Sequence, residues 1–248
     1  MNRDRLSAIA HERHPVAAPL ADTSVDALME LVASYHPRTA LDVGCGSAQW
    51  LVRLLERASD GRGVGVDLSA EALAAAQVLA EERGVGDRLE LRKQDASTIG
   101  DGRYDALLCV GSTHALCGLE PTLKALHGWG GPGSVAVVGD GFWEKAPDVS
   151  TLQALEATPE EFPSYAGLVR LVEAQGWAPV RVHVSSLQEW DDYEWAWVST
   201  LRRWARQNPD DPDATDGLAF AEQHQRMWLD GYRETLGFAV VVAEWVLA

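Results

Sequence analysis

Residues 40–50 read ALDVGCGSAQW and join a short apolar run to a segment with helical spacing. Gly44 and Gly46 allow a tight turn and let a ligand approach the backbone closely. The helix expected from about Ala48 directs its free N–H groups towards an anionic group such as a carboxylate. The segment therefore predicts a ligand-binding turn at the end of the first strand of a sheet.

Short apolar runs alternate with helical patterns over much of the chain. This alternation is typical of a parallel sheet with helices on both faces, so the sequence predicts an α/β fold. The predicted strands are residues 39–43, 63–67, 88–93, 104–110, 134–140, 178–184 and 238–247. Helical spacing occurs at residues 26–37, 51–58, 71–84 and 122–129.

The charge balance and the cysteines restrict the partners. The 248 residues carry 21 basic and 37 acidic side chains, a formal net charge of −16. Such a field repels nucleic-acid phosphates and anionic lipids, so neither nucleic acid nor a membrane is an expected partner. Cys45, Cys109 and Cys117 form no C-x-x-C pair and are interpreted as free thiols, not as a zinc site. No signal peptide is recognised, and a cytoplasmic location is expected.

Acidic residues follow the next two predicted strands. Asp67 closes the second strand, 21 residues beyond Gly46, and its carboxylate can accept hydrogen bonds from both hydroxyls of a ribose. Asp95 and Ala96 follow the third strand, where a side-chain acceptor can meet the amino group of adenine. The spacing therefore predicts a nucleoside-containing cofactor along this edge of the sheet.

Two cofactors fit such an edge, NAD(P) and S-adenosylmethionine. A dinucleotide site usually carries G-x-G-x-x-G, and Gln49 stands where the third glycine belongs. Asp42, an acidic residue before the glycines, favours S-adenosylmethionine.

The segments D-V-G-C-G (42–46), G-V-D-L-S (65–69), Q-D-A (94–96) and C-V-G (109–111) resemble class I S-adenosylmethionine-dependent methyltransferases in order and spacing. The resemblance covers essentially the whole chain. It implies a Rossmann-like, seven-stranded, mostly parallel sheet with an antiparallel last strand. The cofactor-binding residues it implies are Asp42, Gly44, Cys45, Gly46, Asp67, Leu68, Asp95, Ala96 and Val110. The family usually has glycine where this chain has Ala48, which is a mild departure.

The C-terminal half resembles a poorly characterised bacterial subgroup with a helical insert before the last strand. The segments that carry this likeness are W-D-x-Y-E (190–194), R-R-W (202–204), N-P-D-D (208–211) and Y-R-E-x-L-G-F (232–238). We therefore expect a single methyltransferase domain over residues 1–248. Its predicted parts are N-terminal helices or a lid (1–38), a cofactor-binding core (39–184), a helical cap (185–235) and the last strand (236–248).

Candidates for catalysis follow the fourth and fifth predicted strands, because ligands of open α/β sheets bind beyond the carboxyl ends of the strands. His114 can accept a proton near neutral pH, although a histidine that only packs in the loop is the commoner case. Asp140 and Glu144 are further candidates for a base, although acids at strand ends often only cap helices.

Aromatic residues of the C-terminal half are candidates for binding the substrate. Trp143, Trp190, Tyr193 and Tyr232 could line a pocket for a flat or cationic acceptor, with Glu194 available to bind an amine. Aromatic residues at helical spacing are more often core, and so these residues could instead hold the cap together.

The predicted function is transfer of a methyl group from S-adenosylmethionine to oxygen or nitrogen of a small molecule. Two alternatives remain open at this point. One is an NAD(P)-linked oxidoreductase on a related fold, and the other is a cofactor-binding subunit without catalytic activity.

Overall fold

The computed structural model describes residues 3–247, except for the side chains of residues 3, 4, 7 and 8. Two compact units divide this part of the chain. The sheet unit comprises residues 21–140, 166–184 and 238–247, and the helical unit comprises residues 3–20, 141–165 and 185–237. Met1, Asn2 and Ala248, at the ends of the predicted single domain, lie outside the described residues, and the predicted division into a core and a cap stays a prediction.

Seven strands form one sheet. They are β1 (Thr39–Val43), β2 (Arg62–Asp67), β3 (Leu89–Lys93), β4 (Ala106–Val110), β5 (Val135–Trp143), β6 (Trp177–Val184) and β7 (Leu236–Trp245). Their order is β3-β2-β1-β4-β5-β7-β6. The pairs from β3 through β5 are parallel, whereas β6 and β7 are antiparallel. The predicted fold class, including the antiparallel last strand, is confirmed.

The central strands are apolar because both faces of the sheet are covered. Residues 106–109 of β4 and 135–139 of β5 are all buried, as expected of strands between two helical layers. The helices of the sheet unit are α2 (Asp22–Ala33), α3 (Gln49–Arg57), α4 (Ala70–Glu82), α5 (Leu119–Trp129) and α7 (Tyr165–Ala174), the last of which begins in the helical unit. Gly84, the predicted end signal of α4, has φ +69° one residue beyond the C-cap Arg83.

The helical unit contains α1 (Arg3–Ala10), α6 (Val149–Leu155), α8 (Leu187–Gln207), α9 (Ala214–Arg226) and a π-helical turn (Met227–Tyr232). A capping box starts α8, in which Ser186 and Glu189 each accept a hydrogen bond from the other's backbone N–H. The core of the unit is formed by Leu6, Ala10, Trp197, Val198, Leu201 and Ala221. Leu236, which shares the spacing of Trp228 and Tyr232 in the sequence, is not helical but is the first residue of β7.

The parallel order brings the carboxyl ends of β1 to β4 to one edge of the sheet, and the loops after these strands therefore lie side by side. Over residues 3–247, no helix has both the length and the apolar character that crossing a lipid bilayer requires.

Candidate active site

The turn after β1 is held against the neighbouring strand. Gly44, Gly46 and Ala48 have φ values of +68°, +53° and +55°. The N–H groups of Gly44 and Cys45 both donate to the carbonyl oxygen of Val66 in β2, over 2.8 and 3.0 Å. The left-handed residues thus reverse the chain between β1 and α3 while the backbone stays bonded to β2. We call residues 44–48 the glycine turn.

The two glycines serve different purposes. A Cβ atom on Gly44 would lie 2.4 Å from Cβ of Ser112, so no larger residue fits there. Ser112 is itself fixed, because its hydroxyl donates to the carbonyl oxygen of Val43 over 2.7 Å. A Cβ atom on Gly46 would meet nothing within 4 Å. The glycine turn is therefore packed on the side of Gly44 and open at Gly46, where a ligand can approach the backbone.

Asp67, the last residue of β2, reaches the glycine turn. Its Oδ2 accepts a hydrogen bond from the N–H of Gly46 over 2.8 Å, and its Oδ1 accepts one from the N–H of Ser69 over 2.8 Å. Two backbone donors thus fix the plane of the carboxylate. Each oxygen keeps further acceptor capacity, which suits a pair of neighbouring hydroxyl groups.

The loops after β2 and β3 add an exposed apolar side chain and an acceptor. Leu68 is 65% exposed, a large apolar surface directly after Asp67. Asp95 caps the short 3-10 turn that follows β3, and its Oδ1 accepts hydrogen bonds from the hydroxyl and the N–H of Ser97. These bonds hold the pKa of Asp95 below its usual value. Ala96 is buried behind it, and the partly exposed Val110 ends β4.

A buried carboxyl group lies in β1, two residues before Gly44. Asp42 is 3% exposed, and its Oδ2 is buried with no hydrogen-bond partner among the described residues. Burial, with a further contribution from the charge of Asp67, raises the pKa of Asp42 to about 7. Burial also raises the pKa of the Cys45 thiol. An acceptor without a donor at this depth is costly, and a cationic group of a ligand would offset that cost.

His114 and Asp140 both belong to the sheet unit. His114 is exposed in the 3-10 turn Thr113–Leu116, and its ring has no hydrogen-bond partner among the described residues. The hydroxyl of Thr113 donates to Oδ2 of Asp140 over 2.7 Å, so this carboxylate is tied to the same turn. Glu144, the third candidate base, is exposed and belongs to the helical unit.

Three of the four predicted substrate-binding aromatics form one cluster in the helical unit. Trp190 stacks on Trp228 with ring centroids 5.5 Å apart, and the edges of Tyr193 and Tyr232 face Trp190. Trp190 also lines a pocket of about 280 Å³. Trp143 packs elsewhere in the unit, against Phe162, and its indole N–H donates to the carbonyl oxygen of Pro159 over 2.9 Å.

One functional candidate has no counterpart in the sequence analysis. His224, in α9, lies with its Nε2 atom 2.5 Å from Oε2 of Glu194 in α8. The available signal was the position of Glu194 between Trp190 and Trp197 on a mostly apolar helix face, where a carboxylate needs a partner. The sequence does not show which residue that partner is.

The described residues contain no group of three or more His, Cys, Asp or Glu side chains placed to bind a metal ion.

Comparisons with known proteins agree with this geometry. Residues 40–133 match a family model described as a methyltransferase domain. Over 97% of its length the chain is 27% identical to the uncharacterized protein YjhP of Escherichia coli, of which it covers 98%. A methyltransferase from Geobacter sulfurreducens, crystallised with S-adenosyl-L-homocysteine, is 27% identical with a TM-score of 0.88, over 97% of this chain and 98% of that one. A methyltransferase from Thiobacillus denitrificans, in complex with the same molecule, is 26% identical with a TM-score of 0.87 and the same coverage.

By its sheet order, its glycine turn and these likenesses, the chain carries a methyltransferase domain at residues 40–133 and has the fold of class I S-adenosylmethionine-dependent methyltransferases. The predicted family, enzyme class and cofactor are therefore confirmed, and the NAD(P)-linked alternative is not supported. As a methyltransferase, the protein requires a methyl acceptor as its second substrate.

Proposed function

We propose that the protein binds S-adenosylmethionine across the carboxyl ends of β1 to β4 and transfers its methyl group to oxygen or nitrogen of a small molecule. The observation that carries this proposal is the carboxylate of Asp67, which two backbone donors hold beside the open position at Gly46. A ribose bound by this carboxylate would lie directly next to a backbone that admits a ligand.

The neighbouring residues fit the other parts of the cofactor. The amino-acid tail would rest on the glycine turn, where its ammonium group would offset the buried carboxylate of Asp42. Leu68, Ala96 and Val110 offer apolar surface for the adenine ring, and Asp95 offers an acceptor for its amino group. Gly44 and Cys45 shape the turn through their bonds to Val66.

The bound cofactor supplies a methyl group that its sulfonium already activates. The protein then has to align the acceptor, exclude water and, for a hydroxyl or a protonated amine, receive a proton. In the sheet unit, His114 is exposed and its ring nitrogens are uncommitted, which suits a base, and Asp140 is tied to the same turn through Thr113. Glu144 is the acidic alternative in the helical unit.

A small acceptor is supported by the charge of the chain. A net charge of −16 opposes the approach of a polyanion such as RNA or DNA, whereas a small neutral molecule experiences little of this field.

Isothermal titration with S-adenosylhomocysteine tests the cofactor site. Asp67→Ala should weaken binding about 10- to 100-fold, because the ribose hydroxyls lose their acceptors. Asp87→Ala is the matched control, since Asp87 is an exposed acid in the turn before β3, at the opposite edge of the sheet. Circular dichroism of both variants checks the fold. Equal affinity in Asp67→Ala and the wild type, or binding of NADH in place of S-adenosylhomocysteine, would contradict the proposal.

A further inference from the structure

Glu194 is a buried carboxylate whose two oxygens are both occupied by side chains. It is 2% exposed. The hydroxyl of Tyr232 donates to Oε1 over 2.8 Å, and Nε2 of His224 lies 2.5 Å from Oε2. A carboxylate offers one acceptor oxygen to the hydroxyl and the other to an imidazole N–H.

A carboxylate at this distance favours the tautomer of His224 with its hydrogen on Nε2, which Oε2 can accept. In that tautomer Nδ1 presents a lone pair. Nδ1 has no hydrogen-bond partner within the described part of the chain. The ring is also held by stacking on Trp197, with centroids 4.0 Å apart and an angle of 22° between the planes. A histidine oriented by a carboxylate, with its second nitrogen uncommitted, has the arrangement of a general base. We call this pair the Glu194–His224 dyad.

Aromatic side chains pack near the dyad. Tyr232 belongs to the π-helical turn, a structure often found at functional sites, and its ring edge faces Trp190. Tyr193 meets the edges of His11 and His14, with centroids 5.8 and 5.2 Å away. Burial, together with the neighbouring His14 and His224, lowers the pKa of His11 to about 4, so this ring is neutral near pH 7.

Two of these rings carry a buried nitrogen without a hydrogen bond. Nδ1 of His11 and Nε1 of Trp190 are both enclosed, and neither has a hydrogen-bond partner among the described residues. Unpaired polar atoms at such depth are uncommon in folded proteins and need an explanation, such as a bound ligand.

These observations distinguish between two kinds of ligand. An amine would need a carboxylate that it can reach, but Glu194 is 2% exposed and already bonded to Tyr232 and His224. A flat neutral molecule with a hydroxyl group suits the aromatic rings and the free lone pair on Nδ1. We propose that the Glu194–His224 dyad binds the hydroxyl group of a phenol and takes up its proton.

The proposed step is a proton transfer. The O–H bond of the phenol breaks and its proton passes to Nδ1 of His224, which becomes an imidazolium paired with Glu194. The electrons of the O–H bond remain on the oxygen, so that a phenolate results.

The phenol 4-nitrophenol is a suitable probe, because its ionised form absorbs visible light and its neutral form does not. We expect the wild-type protein to produce a saturable phenolate signal at a pH below the probe's own pKa. His224→Gln keeps a donor for Glu194 but cannot accept the proton, and it should reduce the signal at least about tenfold. His127→Gln is the matched control, because His127 also stacks on a tryptophan, Trp245, but belongs to the sheet unit.

Two further variants, Glu194→Gln and Asp67→Ala, complete the test. If His224→Gln fails to fold, Glu194→Gln gives the same comparison, since a neutral amide cannot stabilise the imidazolium and the signal should fall similarly. Asp67→Ala should keep the phenolate signal while it loses S-adenosylhomocysteine, which separates failure of the dyad from failure of the cofactor site. Absence of a saturable signal in the wild type, or an equal signal in a folded His224→Gln or Glu194→Gln variant, would overturn the inference.

Discussion

The glycine turn of the sheet unit and the Glu194–His224 dyad of the helical unit both rely on a carboxylate, but they are assembled differently. The partners of Asp67 are backbone N–H groups, at Gly46 and Ser69. The partners of Glu194 are side chains 30 and 38 residues further along the chain. A site built from backbone at strand ends follows from the local sequence pattern, whereas a site built from distant side chains depends on how helices pack.

The two units also differ in how their buried groups respond to pH. Asp42 in the sheet unit has a pKa raised from 3.8 to about 7, chiefly by burial. The fold therefore binds a proton that the unfolded chain releases between these values, and stability is lost as the pH rises through this window. His11 in the helical unit has a pKa lowered from 6.5 to about 4. Here the unfolded chain binds the additional proton, and stability is lost as the pH falls through that window.

The largest expected effect is that of Asp42→Asn, which removes the charge and keeps the shape. Relative to the wild type, the variant should gain up to about 4 kcal/mol of unfolding free energy near pH 8, and less than half of that near pH 5. Urea unfolding at a series of pH values measures this difference. Binding of S-adenosylmethionine should weaken in the same variant, because the ammonium group of the cofactor loses a carboxylate.

Asp87→Asn controls for the change in net charge, since Asp87 is exposed. The same pH dependence of stability in Asp42→Asn and in the wild type would show that Asp42 is not the group that titrates.

A smaller effect of opposite sign is expected for His11→Phe, which keeps an aromatic edge towards Tyr193 but carries no charge. The variant should be more stable than the wild type by about 2 kcal/mol near pH 5 and differ by less than about 1 kcal/mol near pH 7.5. The same urea series measures it. The matched control is Asp42→Asn, which should lose stability in acid as the wild type does. If His11→Phe also loses stability in acid as the wild type does, a group other than His11 causes that loss.

The smallest effect concerns Ala48, a buried alanine with φ +55°. The left-handed conformation costs alanine roughly 1 kcal/mol, and glycine avoids this cost but has a more flexible unfolded state. Ala48→Gly should therefore stabilise the protein by less than about 1 kcal/mol. Ala80→Gly, a buried position inside α4, should instead destabilise it by about 1 kcal/mol or more. A similar loss in both variants, measured by thermal unfolding, would contradict this assignment of strain.

The sequence predicts the fold well because the sheet unit follows simple periodicity. All seven predicted strands are present. The main difference is β5, which continues to Trp143 although residues 134–140 were expected. Asp140 and Gly141 resemble the end of a strand, but the chain stays extended, and the N–H of Trp143 donates to the carbonyl oxygen of Pro163 over 2.8 Å. That partner lies 20 residues further along the chain, so no local pattern reveals it.

In the candidate site, the predictable parts are those set by backbone geometry. The positive φ values of Gly44 and Gly46 and the position of Asp67 at a strand end follow from the motif itself. The sequence indicates an acidic residue at position 42 but not that its Oδ2 lacks a partner. His224 could not be recognised as the partner of Glu194, because α8 and α9 are joined by a six-residue loop whose path sets their register.

The close packing of Ser112 on Gly44 limits how this enzyme can be redesigned. A larger side chain at position 112 would push on the backbone of the glycine turn, even though Ser112 follows a different strand, β4. Position 112 is best left as serine or exchanged for alanine or glycine in any library built on this scaffold.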